Sequence, residues 1–237
     1  MLDLLRSIFQ IDWRIFMAGA EAWLGGQSPY ARLASDTFGR FGPGAFAYPP
    51  TALPWLALFV PLGAAGYYLW TLLELALWWL LIRKTQRSQL LLICWSPLIL
   101  HLVEGQSTFM AILVVWAAAR APQRGWLWGL ALAWALTKPQ AAIAPVLWLL
   151  WGDRQSPLRA RLWGGLLLGT LLLALPPTLV NPGIWREWLL SLPAYRARIL
   201  QMGAWQGFSV LLFALAAWLW YSSRRGGWQW WLAAGAF

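Results

Sequence analysis

The sequence predicts an all-α protein, a polytopic transmembrane helical bundle, and three observations lead to this prediction. Of the 237 residues, 60% are hydrophobic and only 11% are charged, whereas soluble domains carry about a quarter charged residues. The apolar residues fall in runs separated by short polar breaks. The basic residues, which give a formal net charge of +10, fall in short clusters between these runs. This placement is typical of membrane loops, so we expect no nucleic-acid partner.

Apolar runs define the candidate spans, which we expect to be helical because isolated strands cannot satisfy their backbone in lipid. The runs cover roughly residues 63–82, 90–103, 107–119, 125–137, 140–151, 162–180 and 204–222, and an eighth begins at 228. The four runs between 90 and 151 have only 14, 13, 13 and 12 residues, but a span needs about 20. We therefore expect two short hairpins whose polar tips line an outward-facing hollow. The alternative is that they are full-length helices with ends that the pattern obscures.

The sidedness follows from the charge of alternate loops. One set of loops carries ten basic residues against Asp153 alone, a net charge of +9, and the other set carries a net charge of +2. The first set is expected to be cytoplasmic. The tips HLVEGQS and TKPQ, the first 50 residues and the loop 181–203 then share the extracytoplasmic side.

The predicted organisation is one membrane domain over residues 1–237. Residues 1–50 form an extracytoplasmic N-terminal loop with an interfacial helix, and residues 51–180 form the core helices. Residues 181–203 form an extracytoplasmic interfacial loop, and residues 204–237 form C-terminal helices that we expect to be incomplete. Within the first part, residues 13–24 are predicted helical with Asp12 at the N-cap. Pro49 and Pro50 are expected to start a short interfacial or re-entrant element over residues 51–60.

Several stretches resemble one family when they are taken in order along the chain. They are Asp12 followed by GGQSPY, then FAYPPTALPWLALFVPLG, SPLILHLVEGQSTFMAILVVWAAA and WLWGLALAWALTKPQAAIAPVLWLLW. Together they resemble the polyprenyl-phosphate-dependent membrane glycosyltransferases of the GT-C superfamily, and specifically the alpha-1,2-mannosyltransferase-like proteins of glycosyltransferase family 87. Such proteins usually have a spanning helix before the aspartate, and the chain stops in an apolar run at Phe237. We therefore expect a shortened member with a GT-C-like bundle.

The resemblance implies a catalytic base at Asp12 and a sugar donor, with mannose as the suggested sugar, carried on a polyprenyl phosphate. A phosphate leaving group departs as a stable anion, so one carboxylate suffices where glycoside hydrolysis needs two. Asp12 would take the proton of the acceptor hydroxyl, and attack from the opposite face would invert the anomeric carbon. The expected partners are this lipid-linked donor, a glycan, lipid or protein acceptor, membrane lipids and other membrane proteins. No cofactor is expected, and a metal requirement is not predicted.

Other polar residues are candidates for substrate binding. Lys138 would meet the departing phosphate, or it snorkels to the outer interface. His101, the only histidine, would contact phosphate or hydrogen-bond to Glu104; together they are too few for a metal site. Gln106 would bind sugar hydroxyls or cap a helix. Further candidates are Arg14, which would pair with Asp12 or phosphate or is an ordinary interfacial arginine, and Tyr48.

Three function classes remain open from the sequence. The leading one is sugar transfer in a prokaryotic plasma membrane, with the active site on the extracytoplasmic side. The second is a non-catalytic, truncated relative that serves as a structural subunit of a larger membrane complex. The third, a transporter, is supported only by polar breaks in short helices. Glu74, which lies within a predicted span, is expected to be a protonated, structural hydrogen-bonding residue.

Overall fold

The computed structural model describes residues 11–30, 46–82, 102–120, 124–152 and 158–201. Within these ranges every regular element is helical and none is a strand. Eight α-helices follow in order: α1 Ile11–Leu24, α2 Leu53–Ala57, α3 Ala64–Ile82, α4 Thr108–Arg120, α5 Gly125–Ala135, α6 Pro139–Gly152, α7 Leu158–Val180 and α8 Ile184–Gln201. The predicted all-α class is confirmed for this part of the chain. The predicted spans at 204–222 and from 228, and all but the last two residues of the predicted run 90–103, lie outside the described residues.

Helix α1 differs from the prediction at its start. Asp12 was expected at the N-cap, but it lies inside the first helical turn. A carboxylate there still interacts favourably with the positive end of the helix dipole. The end of α1 is as predicted, because Gly26 adopts a positive φ of 70° and its N–H donates to the carbonyl of Trp23.

The proline-rich stretch after Tyr48 forms short helical pieces. Pro50 begins a 3₁₀ turn over Pro50–Ala52, α2 follows it directly, and a second 3₁₀ turn covers Val60–Leu62. Gly63, with a φ of 52°, separates this turn from α3. A positive φ is accessible to glycine without steric cost, so the chain changes direction here before the long helix begins.

The core beside the site is aromatic. Trp13 stacks on Trp70 with ring centroids 6.1 Å apart, and Trp70 stacks on Trp55 at 5.3 Å. Phe59 meets both Trp13 and Trp70 edge-on. Ring pairs of this kind add to the stabilisation from buried area, and here they join α1, α2 and α3.

Glycines bring α5 and α7 into backbone contact. A Cβ added to Gly165 would lie 2.3 Å from the carbonyl oxygen of Trp126, and one added to Gly129 would lie 2.4 Å from that of Leu162. Small residues at such positions let two helices approach closely, as they do in membrane bundles. The position of α5 therefore depends on α7.

One helix is long and apolar enough to cross a membrane among the residues that the structure describes, and it covers Ala160–Val180. Its outer face is apolar, with Leu167, Leu171, Leu172 and Leu179 all more than half exposed. The helices α4, α5 and α6 have 13, 11 and 14 residues. They are as short as the predicted runs 107–119, 125–137 and 140–151, whereas the hairpins and the polytopic arrangement stay predictions.

Candidate functional site

Five polar side chains from four segments form a cluster in which Lys138 is buried and the others are partly buried. We call it the polar cluster: Asp12, Tyr48, Glu104, Gln106 and Lys138. Asp12 comes from α1, and Tyr48 precedes the first 3₁₀ turn. Glu104 ends a helical turn over residues 102–104, Gln106 follows it, and Lys138 lies in the turn between α5 and α6. Hydrogen bonds or electrostatic interactions join each of these residues to at least one other.

Lys138 is the cation of the cluster and is only 7% exposed. Its Nζ donates hydrogen bonds to the Tyr48 hydroxyl and to Gln106 Oε1, the latter at 3.4 Å. The same Nζ lies 4.5 Å from the centroid of the Tyr48 ring. Burial lowers the pKa of Lys138 to about 8, although the negative charges of Asp12 and Glu104 oppose this shift.

The Gln106 amide links the anionic Glu104 of the polar cluster to its cation, Lys138. Its Nε2 donates to Glu104 Oε2 at 2.9 Å, and its Oε1 accepts from the Thr108 hydroxyl at 3.1 Å and from Lys138. An amide can donate from its nitrogen while its oxygen accepts two bonds. The described hydrogen bonds therefore fix which end of the amide faces the lysine.

Tyr48 is held by its ring and by its backbone. Its ring meets Phe16 edge-on at 4.7 Å, and its carbonyl accepts a hydrogen bond from the Tyr30 hydroxyl at 2.9 Å. Burial first, and the charge of Asp12 second, raise the pKa of the Tyr48 hydroxyl well above its usual value. It therefore remains a neutral phenol that accepts from Lys138.

Two carboxylates share the field of one cation. Burial raises the pKa of Asp12, and the positive charge of Lys138 lowers it by less. Burial, followed by the charge of Asp12, also raises the pKa of Glu104, against the hydrogen bond from Gln106 and the charge of Lys138. A buried carboxyl with a raised pKa accepts a proton more readily than an exposed one near neutral pH.

The remaining predicted site residues lie apart from the polar cluster or outside the described residues. Arg14 is exposed on α1, and side chains two positions apart on a helix do not face each other. His101 lies outside the described ranges. Within those ranges, no group of three His, Cys, Asp or Glu residues is placed to hold a metal ion.

Sequence reasoning missed one residue beside the cluster. The Tyr67 hydroxyl, on α3, donates to the carbonyl of Leu102 at 2.9 Å, two residues before Glu104. A tyrosine at the start of an apolar run is usually assigned to the membrane interface. Its helical spacing with Trp70 and Glu74 is the signal that was available, because residues three and seven positions apart share a face.

Comparison with known proteins gives one family match. The model of glycosyltransferase family 87 matches residues 46–237. Four members of the polar cluster fall inside this range, and Asp12 falls outside it. No curated protein and no solved structure matches the chain.

Proposed function

The chain belongs to glycosyltransferase family 87 and is a glycosyltransferase, and from this premise we propose a specific reaction for the polar cluster. The protein transfers a sugar, with mannose as the candidate, from a polyprenyl phosphate to an extracytoplasmic acceptor and inverts the anomeric carbon. It does so as a multi-pass protein of a prokaryotic plasma membrane. The sugar, the acceptor and the sidedness are part of the proposal.

The observation that supports it most is the pairing of a partly buried carboxyl, that of Asp12, with the buried cation Lys138. Asp12 has a raised pKa that Lys138 moderates, and Lys138 is nearly inaccessible to water. A general base works best when its pKa lies near the operating pH. The raised value therefore suits Asp12 to accept the proton of the attacking hydroxyl.

Lys138 and its partners suit the leaving group. As the bond to the sugar breaks, negative charge develops on the phosphate, and a cation held in place beforehand stabilises it without reorganisation. Tyr48 and Gln106 hold the ammonium from two sides. Glu104 accepts a hydrogen bond from Gln106 Nε2 and so orients the amide whose oxygen accepts from Lys138.

The membrane setting is supported by surface composition and by donor chemistry. Large apolar side chains on α3 and α7 are exposed, including Leu72 at 62% and Leu167 at 63%. A soluble monomer rarely exposes contiguous apolar surface of this kind. A polyprenyl donor stays in the bilayer because each buried methylene contributes about 0.8 kcal/mol.

The test compares two carboxylates on the same helix. The protein in lipid nanodiscs is given radiolabelled mannosyl polyprenyl phosphate and a panel of mannoside and mannosyl-lipid acceptors. Asp12→Asn should lower kcat by at least about 100-fold, the usual contribution of a general base. The matched control Glu21→Gln, at an exposed position of α1, should stay within about twofold. Transfer by Asp12→Asn at the wild-type rate would remove Asp12 from the mechanism, and no transfer by the wild type would reject this donor.

A further inference from the structure

Helix α3 contacts both ends of the turn that carries Gln106. On one side of this turn, residues 102–104 end a helical segment, and on the other side α4 begins at Thr108. A helix end leaves carbonyl groups without partners, and a helix start leaves N–H groups without partners. Residues 105–107 lie between these two sets of groups.

Tyr67 supplies a donor at the carbonyl end. Its hydroxyl donates to the carbonyl of Leu102 at 2.9 Å and approaches that of Val103 at 3.4 Å. The Gly105 N–H donates to the same Leu102 carbonyl at 3.3 Å. The hydroxyl thus stabilises the carbonyl on which the turn closes.

Glu74 supplies an acceptor group at the start of α4. It is 0% exposed, and its carboxylate lies beside the backbone N–H of Met110, the third residue of α4. Neither carboxylate oxygen reaches full hydrogen-bond geometry with a described residue. The N–H groups at a helix start have no partner within the helix, so a carboxyl oxygen beside one of them offers it an acceptor.

The turn between these contacts is closely packed. Gly105 has a φ of 72°, and a Cβ there would lie 2.8 Å from Trp13 Cβ and 3.3 Å from the Tyr67 ring. The following residue, Gln106, then reaches Glu104, Thr108 and Lys138. Small movements of this turn therefore change the bond between Gln106 and Lys138, which is already long at 3.4 Å.

We propose that Tyr67 and Glu74 are positioning residues for sugar transfer: α3 fixes the turn 105–107 at both ends and so sets where the Gln106 amide meets Lys138. Neither side chain contacts the proposed substrate. The inference rests on the proposed function for its effect on the rate. The part that concerns the turn is independent of that function.

A pair of neighbouring tyrosines provides the first test. Tyr67→Phe removes only the hydroxyl that reaches Leu102, whereas the control Tyr68→Phe removes a hydroxyl from a residue that is 58% exposed. In hydrogen–deuterium exchange on the protein in nanodiscs, Tyr67→Phe should accelerate exchange of the Gly105 amide at least about fivefold, the factor expected for one lost hydrogen bond. Tyr68→Phe should leave it unchanged. Equal exchange in the two variants would overturn the proposal.

Kinetics on the same samples separate positioning from a general loss of stability. With mannosyl polyprenyl phosphate as donor, Tyr67→Phe should lower kcat about fivefold in the wild-type background. It should cost less than about twofold when Gln106→Ala is also present, because residues that act through one another are not additive. The same factor in both backgrounds, or unchanged kcat despite faster exchange, would overturn the proposal.

Glu74 is tested by a conservative and a disruptive variant. Glu74→Gln keeps an acceptor oxygen beside Met110 and should retain most of the activity, whereas Glu74→Leu should lose about tenfold in kcat and accelerate exchange at the start of α4. Equal losses in the two variants would refute this role for Glu74. If the wild type itself transfers no sugar, the proposed function fails, and the exchange data alone decide on Tyr67 and Glu74.

Discussion

Raising the pH should increase the stability of the protein while it decreases the rate of sugar transfer. Lys138 lies in a turn outside the helices, and burial lowers its pKa from 10.5 to about 8. Between these two values the unfolded chain binds a proton that the folded chain does not. The free energy of unfolding must therefore rise with pH through this window.

The magnitude follows from the size of the shift. A difference of about 2.5 pKa units corresponds to about 3 kcal/mol, and the steepest slope for one group is about 1.4 kcal/mol per pH unit. Activity has the opposite sign, because only the charged ammonium stabilises the departing phosphate. We expect the rate to fall as the pH rises through about 8.

The assay compares the wild type with two variants. Thermal unfolding in nanodiscs from pH 7 to 10 isolates the stability effect as the difference between the wild type and Lys138→Met, which cannot titrate. Lys138→Arg keeps its charge at every pH in this range, so its rate should fall much less above pH 8. An identical pH dependence of stability in the wild type and Lys138→Met would refute the assignment of the titration to Lys138.

Three further predictions follow from individual contacts. Tyr48→Phe keeps the ring against Phe16 but removes a hydrogen-bond acceptor of the Lys138 ammonium, so the descending limb of the pH–rate profile should move to lower pH; an unmoved limb would contradict this. Gly165→Ala would place a Cβ against the Trp126 backbone, whereas in the control Gly164→Ala the contact at 2.7 Å is to the end of the Trp126 ring. Unfolding in detergent should show a loss of about 1–3 kcal/mol in the free energy of unfolding for Gly165→Ala and a smaller loss for Gly164→Ala. Trp188→Phe removes the indole N–H bond to the Ala47 carbonyl and should cost about 1 kcal/mol, with the Tm as the measurement and an unchanged Tm as the contrary result.

Helix bounds could be predicted where an apolar run ends at a conformational break. The run at 63–82 corresponds to α3, because Gly63 takes a positive φ just before it. The start of α7 was placed at 162, but the helix begins at Leu158. Hydropathy falls at arginines such as the exposed Arg161, although arginine is a good helix former and does not end the helix.

The cluster itself could be predicted only in part. A cation at a recessed turn singled out Lys138, since an ion in such a place needs a partner. Its bond to Gln106 joins residues 32 positions apart, and no local periodicity specifies such a contact. The contacts of Tyr67 and Tyr48 were missed for the same reason, because each depends on how two segments pack.

The position of Asp12 depends on how helix α1 packs against the family-matched part of the chain. Asp12 precedes residue 46, where the family match begins, but its neighbours Trp13 and Phe16 are 3% and 1% exposed. Trp13 stacks on Trp70 of α3, and Phe16 meets Tyr48, so the burial of these two rings fixes the rotation of α1. Since residues four apart share a helix face, Asp12 lies on the face that Phe16 turns toward Tyr48. The orientation of the proposed base thus follows from aromatic packing between α1 and the family-matched residues.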